Sequence, residues 1–161
     1  MAKRVYIETS VVSYLTARPS RQILAAAWQQ LTQEWWDNHR TRFELFTSEL
    51  VLAEAGQGDL DAAQKRVEKL KDVPDLEITD EVIGLAKKLV SDGALPSEAM
   101  DDAMHVAVAA VHGMEYLLTW NCRHLDNAEL KPLIRSVCGV AGYRSPEICT
   151  PQELMGVEYR D

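Results

Sequence analysis

Short apolar runs alternate with longer stretches of helical periodicity along almost the whole chain, and this alternation limits its fold more than any other feature. Val5-Tyr6-Ile7, Phe43 to Phe46, Leu76 to Ile78, Tyr116 to Thr119 and the closing pair Ile148-Cys149 are the short runs, rich in strand formers. Strands of this kind separated by helices build a mainly parallel sheet covered on both faces. The expectation is an α/β protein, a single α/β/α sandwich over residues 1–161. A chain of 161 residues, 47% hydrophobic and 26% charged, buries a sizeable core without disulfide or metal support. No internal repeat, low-complexity tract or flexible linker interrupts the alternation.

The helices announce themselves through caps and spacing. Ser20 is placed to cap a helix reaching Asn38, with Leu24, Trp28, Leu31 and Trp35 on one face. Ser48 opens a helix that carries Glu54 and stops at Gly56. Asp59 caps the next, with Leu60, Ala63, Val67 and Leu70 inward, and Thr79 the one after, with Val82, Ala86 and Leu89 inward. Gly93 and Pro96 mark a loop, Ser97 to His112 reads as a helix closed by Gly113, and Asn127 to Val140 as another. Thr150-Pro151-Gln152-Glu153 has the pattern of a capping box with proline at the first helical position.

Charge and cysteine content narrow the function. Seventeen Lys+Arg against twenty-five Asp+Glu give a net charge of −8, so nucleic acid cannot be held by bulk attraction and needs a local basic patch. Arg18, Arg21, Arg40, Arg42, Arg123, Lys131, Arg135 and Arg144 are the cations available for phosphate contacts. There is neither an apolar run long enough to span a bilayer nor a secretion signal, so a cytoplasmic protein without membrane attachment is expected. Cys122, Cys138 and Cys149 are then reduced thiols, and they lack the paired spacing of a zinc site.

Ligands of open parallel sheets bind beyond the carboxyl ends of the strands. Glu8 follows the first strand, and Asn121 and His124 follow the Tyr116 to Thr119 strand. Glu54 and the pair Asp101-Asp102 lie on helices with largely apolar neighbours, where an ionised carboxylate needs compensation. A hard divalent cation supplies it, and three converging carboxylates imply metal-assisted phosphoryl chemistry. On helical phase, Asp101, His105 and His112 share a polar arc, whereas Asp102 falls among apolar residues and is the better functional candidate. His105 and His112 are two turns apart and are expected to be surface or packing histidines. Trp28, Trp35 and Trp36 could form a base-stacking platform, but their spacing favours packing. The phosphate loops GxGxxG and GxxxxGK[ST] do not occur, which counts against other nucleotide-binding α/β enzymes.

The ordered segments VYIETS, SELVLAE, DDAMHVAVAA and LLTWNCRH resemble the motif series of PIN-domain nucleases, and more narrowly that of VapC-type toxins. The resemblance runs through nearly the whole chain. It implies a Mg²⁺- or Mn²⁺-dependent ribonuclease, a homodimer, inhibited by a cognate antitoxin protein. Carried onto matching positions, it implies metal-site roles for Glu8, Glu54 and Asp102, with Asn121 and His124 at the fourth motif. Glu8 stands where aspartate is usual, and Asn121 and His124 stand where carboxylates are usual. The alternative that these departures raise is a catalytically weakened, protein-binding PIN-like module.

Overall fold

A computed structural model describes residues 1–157. Within these residues five strands, β1 (Lys3–Ile7), β2 (Phe43–Ser48), β3 (Asp75–Leu76), β4 (Tyr116–Leu118) and β5 (Glu147–Cys149), form one parallel sheet in the order β3-β2-β1-β4-β5. The chain winds outward from β1 through β2 to β3, then crosses to the other side of β1 for β4 and β5. The sheet therefore has its topological switch between β1 and β4, and in open parallel sheets ligands bind at the carboxyl edge of such a point. Ile7 is in register with Leu118, which places the residues that follow both strands side by side.

Among the described residues, seven α-helices flank this sheet: α1 (Thr9–Thr16), α2 (Ile23–Asn38), α3 (Glu49–Ala55), α4 (Leu60–Leu70), α5 (Asp80–Ser91), α6 (Met100–Val111) and α7 (Lys131–Val140). Alternation along β1 sends Val5 and Ile7 into one core with Trp35, Trp36 and Leu118, and Tyr6 into the other with Val51, Leu85, Val106 and Leu117. The α/β/α architecture expected from the strand–helix alternation is the one observed. Cys138 lies in the core that holds Tyr6 and Cys149 in the one that holds Val5 and Ile7, and Cys122 is exposed, so the three thiols do not converge.

Local capping is as the sequence predicts at three helices. Ser48, Asp59 and Thr79 accept hydrogen bonds from the backbone N–H groups of Val51, Ala62 and Val82. At the end of α6, Gly113 takes φ +72°, with Met114 N–H bonded to Ala109 O and Gly113 N–H to Ala110 O. This paired closure needs the left-handed conformation that glycine adopts without strain. The capping-box bonds between Thr150 and Glu153 also form, although they close only a 3₁₀ turn at Gln152–Leu154.

Elsewhere tertiary packing overrides the sequence pattern. Thr9–Thr16, a stretch to which the spacing assigns no helix, is one. Ser20 does not cap α2, because its hydroxyl accepts from Gln22 N–H only two residues on, and the helix begins at Ile23. Leu24, Leu60 and Val67, expected inward, are exposed, since α2 meets the core through Trp28, Leu31, Thr32, Trp35 and Trp36, and α4 through Ala63 and Leu70. Ser97–Ala99 is a 3₁₀ turn ahead of α6, and Asn127 begins a turn rather than α7. The polar arc expected on α6 holds at Asp101, which is exposed, and fails at His105. His105 is 1% exposed, and the helix is buried on nearly every side from Ala103 to Ala110.

Candidate metal centre

Glu8 sits at the carboxyl end of β1 and is itself the N-cap of α1, its carboxylate accepting from Ser10 N–H at 3.1 Å. The Ser10 hydroxyl and the Thr119 hydroxyl, the latter at 2.6 Å, donate to the other carboxylate oxygen. Thr119 follows β4, so one carboxylate ties the two strands at the switch point together. Ser10 Oγ in turn accepts from Trp120 N–H, and Thr119 Oγ1 from Asn121 N–H. Glu8 is 6% exposed, and three donors hold it in place.

Glu54 approaches from the last turn of α3. It is not shielded only by apolar neighbours, as the sequence had implied, for its side chain is 25% exposed and its compensation is polar. His105 Nε2 donates to Glu54 Oε1 at 2.8 Å, and the Thr9 hydroxyl donates to the same oxygen. Burial raises the Glu54 carboxyl, but the bond and charge of His105 and the Thr9 bond outweigh it and hold the pKa below the usual carboxylate range. For His105, burial favours the neutral ring, while the Glu54 bond and the charges of Glu8, Glu54 and Asp102 prevail and push its pKa up.

On its far side His105 Nδ1 meets the Tyr6 hydroxyl at 2.7 Å, and that hydroxyl meets Ser48 Oγ, also at 2.7 Å. Tyr6 and Ser48 are fully buried. Burial pushes the Tyr6 phenol up, the Ser48 bond opposes, and the charges of Glu8 and Glu54 add to the rise, so the phenol keeps its proton. Ser48, Tyr6, His105 and Glu54 thus form a continuous chain of hydrogen bonds from the start of α3 to the carboxylate edge.

The ligand atoms of Glu8, Glu54 and His105 all lie within 4.8 Å of one another. Donors this close around a polar gap suit a divalent ion, whose oxygen and nitrogen ligands stand about 2.0–2.6 Å from the metal. Asp102, in the first turn of α6, lies outside that trio. Asn121 Nδ2 donates to Asp102 Oδ1 at 3.1 Å and His124 Nδ1 to Asp102 Oδ2 at 2.9 Å. Asn121 also accepts from His124 N–H, so the loop after β4 is folded around Asp102. Asp101 is exposed, as its helical phase predicts.

Of the five residues singled out in the sequence, Glu8 and Glu54 come together, and Asp102, Asn121 and His124 form a second cluster beside them. Sequence reasoning missed His105 and Tyr6. A signal was present, for His105 is one turn from Asp102 on the same helix and Tyr6 shares with Glu8 the same side of β1. Among the candidate cations, Lys131 pairs with Asp126, and Arg40 and Arg42 lie over Trp36 and Phe43, while Arg123 is exposed on the loop carrying His124. The tryptophans pack: Trp35 is fully buried and Trp28 stacks on Trp120 at 4.8 Å.

Residues 5–129 match the model of the PIN domain. The chain belongs to the PIN domain family. Among solved structures, this PIN domain is similar to a chain of VapBC2 from Rickettsia felis, a structure bound to a DNA fragment from the promoter. That likeness has a TM-score of 0.53 and 12% identity, covering 91% of this chain and 98% of the other. A chain of VapBC-5 from Mycobacterium tuberculosis, a member of the VapBC family of toxin–antitoxin systems, is also similar, with a TM-score of 0.43 and 16% identity, over 73% of this chain and 85% of that one. No curated protein matches the sequence. Within the described residues no helix of this PIN domain is long and apolar enough to cross a membrane.

Proposed function

We propose that this PIN domain is a divalent-metal-dependent endoribonuclease and the toxin of a toxin–antitoxin pair. The observation that carries this reading is the gathering of Glu8 and Glu54 at the switch point of the sheet, with Asp102 one helical turn from the histidine between them. Glu8, Glu54 and Asp102 are the carboxylates that hold Mg²⁺ or Mn²⁺. A cation held there would supply polarisation of a phosphodiester and a more acidic water for in-line attack. Glu8 keeps its place through Ser10 and Thr119, and Glu54 through Thr9 and His105. Asn121 and His124 orient Asp102, and exposed Arg123 supplies positive charge for the RNA backbone. The expected products carry a 5′-phosphate and a 3′-hydroxyl.

Other parts of the reading follow from an acidic toxin. A net charge of −8 complements a basic antitoxin segment that reaches the carboxylates. A cytoplasmic homodimer is the expected free form. The test is cleavage of a panel of RNAs with Mg²⁺ or Mn²⁺, followed by chelation and by Glu54→Gln. Loss of cleavage in both supports the reading, and equal cleavage in chelator defeats it. Co-purification with the product of the adjacent gene tests the antitoxin, and light scattering of the purified chain tests the dimer.

A second reading is favoured by one observation: Glu8 already caps α1 and Glu54 is already paired with His105, so both carboxylates have structural work without a metal. A protein-binding module that has lost catalysis would bind the antitoxin yet cleave none of the RNAs.

A further inference from the structure

We propose that His105 Nε2 is a direct ligand of the divalent cation beside Glu8 and Glu54, and that this nitrogen makes the site select Mn²⁺ over Mg²⁺. The inference rests on the metal-dependent reading above and names the donor set of that site. A site of carboxylates alone offers only hard oxygen donors, which Mg²⁺ accepts as readily as Mn²⁺. An imidazole in the inner set changes that balance, because nitrogen is a poor donor for Mg²⁺ and an ordinary one for first-row transition ions.

The geometry treats His105 as a ligand is treated. Its ring is 1% exposed, its Nε2 is directed at Glu54 Oε1 at 2.8 Å, and its ligand atom lies with those of Glu8 and Glu54 inside a 4.8 Å group. Among the described residues, the hydrogen-bond partner of Nε2 is Glu54, a group that would share the metal with it. Its other nitrogen is fixed by Tyr6, and Tyr6 by Ser48, as metal-bound histidines are fixed through their second nitrogen.

The hydroxyl chain also serves both states of the ring. Without metal, Glu54 can only accept, so Nε2 carries a proton, and on a neutral ring Nδ1 accepts from Tyr6. With metal on Nε2 the ring proton stands on Nδ1 and is donated to the Tyr6 oxygen, whose own proton turns to Ser48 Oγ. Tyr6 and Ser48 hydroxyls each donate and accept, so neither state leaves a buried nitrogen unpaired. A backbone carbonyl or N–H at the position of Tyr6 would satisfy one state only.

The experiment is Mn²⁺ electron paramagnetic resonance with electron spin echo detection on the purified full chain. The wild type is expected to show modulation from a coordinated imidazole nitrogen. The modulation should persist in His124→Gln and vanish in His105→Gln, with Mn²⁺ affinity falling about tenfold or more while Mg²⁺ affinity changes far less. If His105→Gln does not fold, labelling histidine nitrogen in the wild type and in His124→Gln gives the same decision, because His39 and His112 are held elsewhere, by Arg42 and by Glu77 O. Mn²⁺ bound without nitrogen modulation, or modulation that survives in folded His105→Gln, overturns the inference and leaves the metal-dependent reading standing. Failure of the wild type to bind Mn²⁺ overturns both.

Discussion

Removing one oxygen from the buried chain beneath the site tests whether its hydrogen bonds are formed, and Tyr6→Phe does so while keeping the ring. The hydroxyl bonds Ser48 Oγ and His105 Nδ1, each at 2.7 Å, among side chains that are at most 1% exposed. Ser48 keeps a partner in Val51 N–H, but His105 Nδ1 is left with none of its own. An orphaned buried nitrogen costs about 1–3 kcal/mol. Phenylalanine avoids the desolvation of the phenol, which offsets part of the loss, so the net effect is about 2 kcal/mol of destabilisation. For a chain of this length that corresponds to a fall in Tm of about 4–8 °C. Ser48→Ala loses the α3 cap as well, about 1 kcal/mol. Because the two hydroxyls bond each other, the double variant should be less destabilised than the sum of the singles by about 0.5 kcal/mol or more. The assay is equilibrium urea unfolding followed by circular dichroism, in chelator so that metal binding does not enter. A Tyr6→Phe protein within about 0.5 kcal/mol of wild type, or two singles that simply add, would show that these hydroxyls are not paired as described.

Glu54→Gln should abolish metal-dependent cleavage and lower the stability of the metal-free protein by about 1–3 kcal/mol, since buried His105 loses its carboxylate partner; unfolding curves in chelator measure the second effect, and unchanged stability would mean that the pair contributes nothing. Asp102→Asn should remove cleavage and weaken Mn²⁺ binding, whereas exposed Asp101→Asn stays within a few-fold of wild type; the opposite order in Mn²⁺ titrations would mean the motif has been assigned to the wrong aspartate. Glu8→Gln should keep the metal-free fold, because an amide oxygen still accepts from Ser10 N–H, and should lose Mn²⁺ affinity; calorimetric titration separates the two roles. In mildly alkaline buffer a thiol reagent should modify Cys122 alone until urea is added. Burial pushes Cys138 up to about 11 and Cys149 up to about 12, so both are protonated as well as enclosed, and rapid reaction of all three in the native protein would contradict the packing.

What the sequence determined by itself is whatever depends on residues close together along the chain. Ser48, Asp59 and Thr79 cap their helices through bonds to N–H groups three residues away, and Gly113 closes α6 on carbonyls of that helix, so each is written in its own segment. The alternation of strands and helices fixed the layers for the same reason, and the carboxyl ends of two strands marked where Glu8, Asn121 and His124 would lie. Only the tertiary structure decided α1. Its Thr, Ser and Val residues form helix poorly alone, and it holds because Val11, Val12 and Leu15 are buried and Glu8 caps it. Only the tertiary structure decided His105 as well. Helical phase assigns one polar face to a helix with one buried side, but α6 is buried on nearly every side from Ala103 to Ala110, so a polar residue in that stretch turns inward to whatever partner the fold supplies. Those partners, Tyr6 and Glu54, are 99 and 51 residues distant, and Glu8 meets Thr119 across 111. No local pattern encodes such contacts, because they exist only once β1 and β4 are neighbours and α3 and α6 stand over their ends.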